Sequence, residues 1–257
     1  MCGLKIKSMF KVLLSPGKKG CEKARLLKAI TVVVDALRAS ATMIALLEKG
    51  VETIFVVSEV EDAWELKKVF PEALLVGERN NVKIDGFDYS NSPSEIFKAS
   101  NLSGKTVIFT STSGARRILA CKGATKIFVG TTLNAEALAP VLKDSSLKYQ
   151  KDIVIVPAGV YEKEEFSEED VIASWEIAKR VGFPVVDETG FLTEEIKNQD
   201  VEKGFYSAKH GKELIEIGLE EDVSLCAKVG ISQSIPKVHQ YIEKAAMIKN
   251  HSIIERA

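Results

Sequence analysis

Asp35 closes a β-branched run, Ala29–Val34 (AITVVV), and is followed closely by Arg38, Ser40 and Thr42. A carboxylate, a guanidinium and hydroxyls at the point where an apolar run turns polar are the raw material of an ion-binding site. The pattern recurs along the chain. Ala73–Val76 leads into Gly77-Glu78-Arg79, Lys105–Thr110 into Ser111-Thr112-Ser113-Gly114, Lys126–Val129 into Gly130-Thr131-Thr132, and Ile153–Val156 into Pro157-Ala158-Gly159. Hydroxyls and backbone amides beside a helix start suit phosphate, because free N–H groups and the helix dipole attract anions. Carboxylates in the same place suit a hard, oxygen-seeking cation such as Mg²⁺. Arg116-Arg117 at a predicted helix start opposes the dipole, which points to an anion beside one of them. Singly, each feature has a plainer reading: Asp35 as part of a helix cap, Ser111–Gly114 as a turn, Glu78-Arg79 as a local ion pair. Their recurrence after successive apolar runs is what argues for a site.

The elements that must hold these residues follow from the periodicity. The short apolar runs, with Thr53–Val57 among them, read as buried parallel strands. Between them lie predicted helices at Ala41–Glu48, Glu61–Phe70, Pro93–Ala99, Ala115–Lys122 and Ala135–Lys143. Strand and helix in alternation predict an α/β fold, a parallel or mixed sheet flanked by helices in three layers. Ligands in such folds gather outside the carboxyl ends of the strands, where the polar residues fall. After Gly159 the pattern shifts to helices at Glu168–Val181, Ser207–Ile217 and Asp222–Lys228, with only Val185–Val186 suggesting a strand. Ser167 as N-cap and Asp170 at the third position of the first of these helices come close to a capping box. The expectation is one α/β unit over 1–257 in two intimate lobes, a boundary near 150–166, and a helix-rich C-terminal part covering one end of the sheet. The segment Glu78–Glu95 reads as a long polar loop, pinned by Val82, Ile84, Phe87 and Tyr89 and beside the candidate site.

The 257 residues carry Lys+Arg 35 against Asp+Glu 36, a net charge of −1, with 46% hydrophobic residues. Near-neutrality argues against a nucleic-acid partner, and the apolar fraction against disorder. No apolar stretch approaches the roughly 20 residues of a membrane span, and the lysine-punctuated N-terminus does not read as a secretory signal; a cytoplasmic location is expected. Lys 28 and Glu 26 against Gln 4 is the bias of heat-adapted proteins. Cys2, Cys21, Cys121 and Cys226 share no C-x-x-C spacing, so they read as ordinary thiols. Cys2 after Met invites the reading of an N-terminal nucleophile, but the residues after it read as an ordinary strand. His210, His239 and His251 are far apart, which disfavours a histidine-rich zinc site. G-x-S-x-G, P-loop and G-x-G-x-x-G motifs are absent.

Four stretches in order, VVVDALRASATMIALLEKG, GERNNVKIDGFDYSNSPSE, TSTSGARRI and GTTLNAEALA, resemble the 2-phosphosulfolactate phosphatase family along Thr31–Asp170. A weaker likeness reaches Pro236 through SAKHGKELIEIGLEEDVSLCAKV. The sequence departs from the family pattern at Ser111-Thr112-Ser113-Gly114, where a hydroxyl replaces an amide, at Ser90-Asn91-Ser92-Pro93, and at Gly159–Glu165. The resemblance implies a two-lobed α/β fold and a Mg²⁺-dependent acid phosphatase that hydrolyses 2-phosphosulfolactate to 3-sulfolactate and phosphate, a step toward coenzyme M. On that reading Asp35, Arg38 and Glu78 are the catalytic residues, with Asp35 and Glu78 holding Mg²⁺. Asp35 is also the candidate nucleophile if a phospho-enzyme forms. Arg38, Arg79, Lys83 and Arg116 or Arg117 pair with a small anionic phosphorylated substrate, and Ser40, Asn91, Ser92, Thr112, Ser113 and Gly114 cradle it. A homodimer is compatible with the sequence. The alternative is a non-catalytic binding protein for small phosphorylated or sulfonated acids, using the same loops.

Overall fold

The computed structural model describes residues 10–251. Cys2 and most of the stretch read as a strand after it lie outside those residues. The first half of the chain alternates strand and helix. It runs β1 (Val12–Leu14), α1 (Gly17–Leu26), β2 (Ile30–Val34), α2 (Ala39–Glu48), β3 (Thr53–Val56), α3 (Val60–Val69), β4 (Leu74–Arg79), β5 (Val82–Lys83), α4 (Pro93–Lys98), β6 (Thr106–Thr110) and α5 (Gly114–Ala120). Then come β7 (Lys126–Val129), α6 (Ala135–Tyr149), β8 (Ile153–Pro157), α7 (Glu168–Val181) and β9 (Val185–Asp187). Four short helices follow, α8 (Glu194–Asn198), α9 (Val201–Ser207), α10 (Lys209–Glu216) and α11 (Glu220–Cys226), before β10 (Pro236–Ile242) and β11 (Ala245–Asn250).

The strands form one mixed sheet in the order β5-β4-β6-β3-β11-β10-β7-β2-β8-β1-β9. Two parallel sets, β7-β2-β8-β1-β9 and β3-β6-β4, flank the antiparallel β10–β11 hairpin, which pairs antiparallel to β7 on one side and β3 on the other. The α/β class with helices on both faces is thus present. β2 is buried along its whole length, as a continuous β-branched run in a covered parallel sheet should be. Its residues alternate between faces: Val32 packs with Leu138 and Ile177 of α6 and α7, Val33 with Cys21 of α1 and Ile118 of α5. α2 is apolar all round and buried at nine of ten positions, so it lies between neighbours rather than on the surface.

The C-terminal part departs from expectation. It does not only cover an end of the sheet; its last two strands fill the middle. A register shift between Val238 and Gln240 breaks the period-two pattern of β10, and β11 opens on two alanines, which have weak strand preference. The helix expected over Ser207–Ile217 is present as α10, and an unexpected helix, α9, precedes it across a break at extended Ala208. Gly211 lets α10 pack against α9, since a Cβ there would lie on the Phe205 carbonyl. Near Glu78 the expected loop is shorter: β4 runs on to Arg79 and turns into β5 through Asn80 and Asn81, both at positive φ (52° and 65°). Asparagine tolerates that geometry, which a two-residue hairpin turn requires. Phe87 packs down as expected, edge-on to Trp64, whereas Val82 is exposed. Among the described residues, no helix is long and apolar enough to cross a membrane, and Cys21, Cys121 and Cys226 are buried free thiols.

Candidate functional site

A cavity of about 470 Å³ opens where the segments after β2, β6 and β8 meet the end of β4 and the starts of α7 and α10. Three antiparallel pairings separate β7 from β3, so the two parallel sets run in opposite senses along the ladder. The expectation of one simple sheet edge is therefore replaced by convergence of ends from both sets.

Of the residues expected at a site, Asp35, Arg38, Glu78, Asn91, Thr112 and Ser113 line this cavity. Asp35 sits just beyond β2, where its main chain and Ser40 exchange hydrogen bonds: Asp35 N–H to Ser40 Oγ at 3.0 Å, and Ser40 N–H to Asp35 O at 2.9 Å. Its Oδ1 accepts the Ala39 N–H at 3.2 Å. Burial pushes the Asp35 carboxyl above its ordinary range and the Glu78 charge adds to this, while the amides of Ala39 and Gly114 and the nearby His210 oppose it. Glu78 is anchored through both oxygens: Oε1 accepts Thr112 N–H (2.8 Å), and Oε2 accepts Thr112 Oγ1 (3.1 Å) and Asn81 N–H (3.0 Å). Gly114 serves by having no side chain, since a Cβ there would lie 2.7 Å from Asp35 Oδ2 and 2.8 Å from the Ala39 Cβ.

The Arg38 guanidinium is buried and donates to Asp222 Oδ2 at 2.8 Å and to Asn81 O at 3.4 Å. Asp222, from α11, also accepts from Ser92 Oγ and Ser94 N–H. Ser92 is thereby a helix cap for α4 and a brace for Arg38, one step behind the cavity wall. Asn91 is buried on that wall, and its amide oxygen has no hydrogen-bond partner.

The other expected cations lie elsewhere. Arg79 turns away to Ser58 O, Thr110 Oγ1 and Glu78 O. Lys83 lies on exposed β5, along a shallow groove beside the cavity. Arg116 pairs with Glu59 at 3.1 Å and lies over the Tyr161 ring.

Three residues on the wall were not among the expected site residues. Glu169 and Asp170 open α7, where acidic residues suit the helix dipole. The capping-box reading does not hold, because Ser167 makes no side-chain cap bond. Asp170 instead accepts Ala36 N–H (2.7 Å) and Gly159 N–H (2.9 Å), tying the segment after β2 to that after β8. Burial raises the Asp170 carboxyl well above its usual range, with the Glu169 and Asp35 charges adding. His210, just past the α9–α10 break, places Nδ1 3.4 Å from Glu169 Oε1 and Nε2 3.2 Å from Asn81 Oδ1. Burial works against its charged form, but the Glu169 hydrogen bond and charge, with Asp35, outweigh it and raise its pKa. The sequence signal for His210 was only its place in the weaker, outlying stretch of the family likeness.

Fold and cavity together define a mixed-sheet α/β protein whose ligand site is built from strand ends and is markedly acidic. The family model described as 2-phosphosulpholactate phosphatase matches residues 18–241. A probable 2-phosphosulfolactate phosphatase of Carboxydothermus hydrogenoformans is 34% identical over 211 residues, 81% of this chain and 85% of that protein. A protein of the same name from Clostridium acetobutylicum is 36% identical over 213 residues, covering 80% and 88%. One from Caldanaerobacter subterraneus is 35% identical over 226 residues, covering 84% and 90%. The chain belongs to the 2-phosphosulfolactate phosphatase family.

Proposed function

We propose that the chain is a Mg²⁺-dependent phosphomonoesterase that hydrolyses 2-phosphosulfolactate, or a closely similar anionic phospho-hydroxy acid, to 3-sulfolactate and phosphate. The family and the names of its relatives support the reaction class. The observation that carries the metal requirement is the cavity's charge: seven carboxyl side chains line it, of which burial pushes Asp35 and Asp170 toward the neutral form, against Arg38, Lys209 and His210. A substrate bearing phosphate, sulfonate and carboxylate is repelled by such walls unless a cation accompanies it.

The donor set suits Mg²⁺. Asp35 and Glu78 would hold the ion, and the unpartnered Asn91 oxygen is a donor of the same hard class. Among the described residues no three His, Cys, Asp or Glu side chains form a metal-holding group. Mg²⁺ needs none, since it takes one or two carboxylates and fills its shell with waters and phosphate oxygens. When bound, it neutralises charge building on the phosphoryl and leaving oxygens.

The chain's own residues supply the rest. Arg38, fixed in direction by Asp222, pairs with an anionic group of the substrate. Ser113, whose hydroxyl oxygen accepts the Tyr161 N–H, directs its O–H to a phosphoryl oxygen, while Thr112, whose amide and hydroxyl both bind Glu78, holds that carboxylate in place. In the reaction the ester P–O bond breaks and a water oxygen bonds phosphorus. His210, whose protonated form Glu169 at Nδ1 favours, gives the Nε2 proton that otherwise faces Asn81 Oδ1 to the departing alkoxide and recovers one from the attacking water. In the test, synthetic 2-phosphosulfolactate should release phosphate with Mg²⁺ and not in excess chelator. Phospholactate and phosphoglycolate in the same assay set the substrate range. Saturable binding with no phosphate release, with or without Mg²⁺, overturns the proposal in favour of a binding protein.

A further inference from the structure

A second cavity, of about 360 Å³, shares the segment 159–167 with the first. Its floor is the N-terminus of α1, in the sequence Pro16-Gly17-Lys18-Lys19. That first turn carries two lysines, no acidic residue and no side-chain cap. Facing it is Arg117, which is 2% exposed. Arg117 Nε donates to Ala158 O at 3.0 Å and Nη1 to Glu164 Oε1 at 2.9 Å, while Nη2 is buried with no partner. Nη2 is aimed at the helix start: a Cβ on Gly17 would lie 3.3 Å from it and 2.5 Å from Glu164 Oε2. Gly17, at φ +53°, thus leaves open the space between guanidinium and helix terminus.

That space is entered by one anionic group, and it belongs to the chain. Glu164 Oε2 accepts the Lys18 N–H at 3.0 Å while Oε1 pairs with Arg117. Its carboxylate therefore spans the helix terminus and the arginine as a bound oxyanion would. Yet Glu164 is a loosely committed occupant. Its side chain is 45% exposed, its backbone is left-handed (φ 52°) without being glycine, and it leaves Nη2 unmatched. Phe166 and Phe191, stacked at 3.8 Å, line the same cavity.

We propose that the α1 N-terminus and Arg117 form a second binding site for a small phosphate-class oxyanion, for which Glu164 is a displaceable internal stand-in. A tetrahedral anion brings the extra oxygen that Nη2 lacks. Displacement also reaches the first cavity. Glu164 belongs to a turn closed by the Val160 N–H to Glu165 O bond, and in that turn the Tyr161 ring lies over Arg117 while its N–H donates to Ser113 Oγ. The inference requires no turnover and is independent of the proposed reaction.

The test titrates inorganic phosphate into the full chain in excess chelator at fixed ionic strength, which suppresses metal-assisted binding in the first cavity. Glu164→Gln removes the competing charge and keeps the side-chain size, and it should bind phosphate at least about tenfold more tightly than the wild type. Glu164→Gly, which also suits the left-handed backbone, should show the same gain. The gain should fall away when Arg117→Lys is added to Glu164→Gln, since an ammonium lacks the guanidinium fork. Equal affinity in wild type and both Glu164 variants, or a gain that survives Arg117→Lys, overturns the proposal.

Discussion

Asp35 and His210 face the same cavity with opposite electrostatic histories, one pushed toward its neutral form by burial and the other shifted toward its charged form by a carboxylate partner that outweighs burial. Asp35→Asn keeps the hydrogen-bonding outline and removes the charge. It should fold normally and lose at least about 10² in kcat, read by steady-state phosphate release. His210→Asn should lower kcat by about 10²–10⁴, and its pH profile is the more telling measurement. The wild-type His210 pKa is raised, so the proton-donating form is populated below that pKa and is lost as pH climbs through it. Wild-type kcat should therefore fall on the alkaline side, and His210→Asn should lose that limb. A retained limb with normal turnover removes His210 from the proposed chemistry. Which side chains would reach the cavity was only partly legible in the sequence. Glu78 and Arg79 were both expected at the site, but β4 continues through both, and neighbours on a strand point to opposite faces. One enters the cavity and the other binds Ser58 and Thr110.

Two joints between elements control how well those groups are held. At the first, the start of α5 lies so close to the segment after β2 that Gly114→Ala would press a methyl on Asp35 and Ala39. The expected cost is about 1–3 kcal/mol in thermal or denaturant unfolding, with turnover falling further than stability because Asp35 is displaced. At the second, α11 carries Asp222 to Arg38 across 184 residues of sequence, with both side chains buried. Asp222→Asn leaves a buried guanidinium without its countercharge and should destabilise the fold by about 3–5 kcal/mol, read as a lowered Tm. β2, β7 and α7 were legible nearly to the residue because each carries a strong local period or cap signal. The Asp222–Arg38 joint was not legible, since nothing local marks an aspartate on a short amphipathic helix as the partner of an arginine so far upstream. The β10–β11 hairpin escaped for a different reason: its burial comes from strands on either side, while its own lysines, glutamate and alanines advertise a surface.

At the scale of the molecule, the sheet is built from two parallel sets that share no direct pairing and are joined through β10 and β11. Replacing Ile248, buried and paired with Ile54, by Ala should cost about 2–5 kcal/mol in chemical denaturation. If the two sets are welded into one cooperative unit, a single unfolding transition should remain. Two separated transitions would show that each set holds together alone.

The order in which the chain is made then acquires a meaning. Synthesis proceeds at roughly 5–20 residues per second, and the piece that sits centrally in the sheet is made after every other strand of that sheet. Until it arrives, β3 and β7 are raw edges able to recruit strands from other chains. A ribosome stalled before Pro236 should therefore carry a nascent chain that proteases cut readily, and completing the hairpin should be the event that seals it.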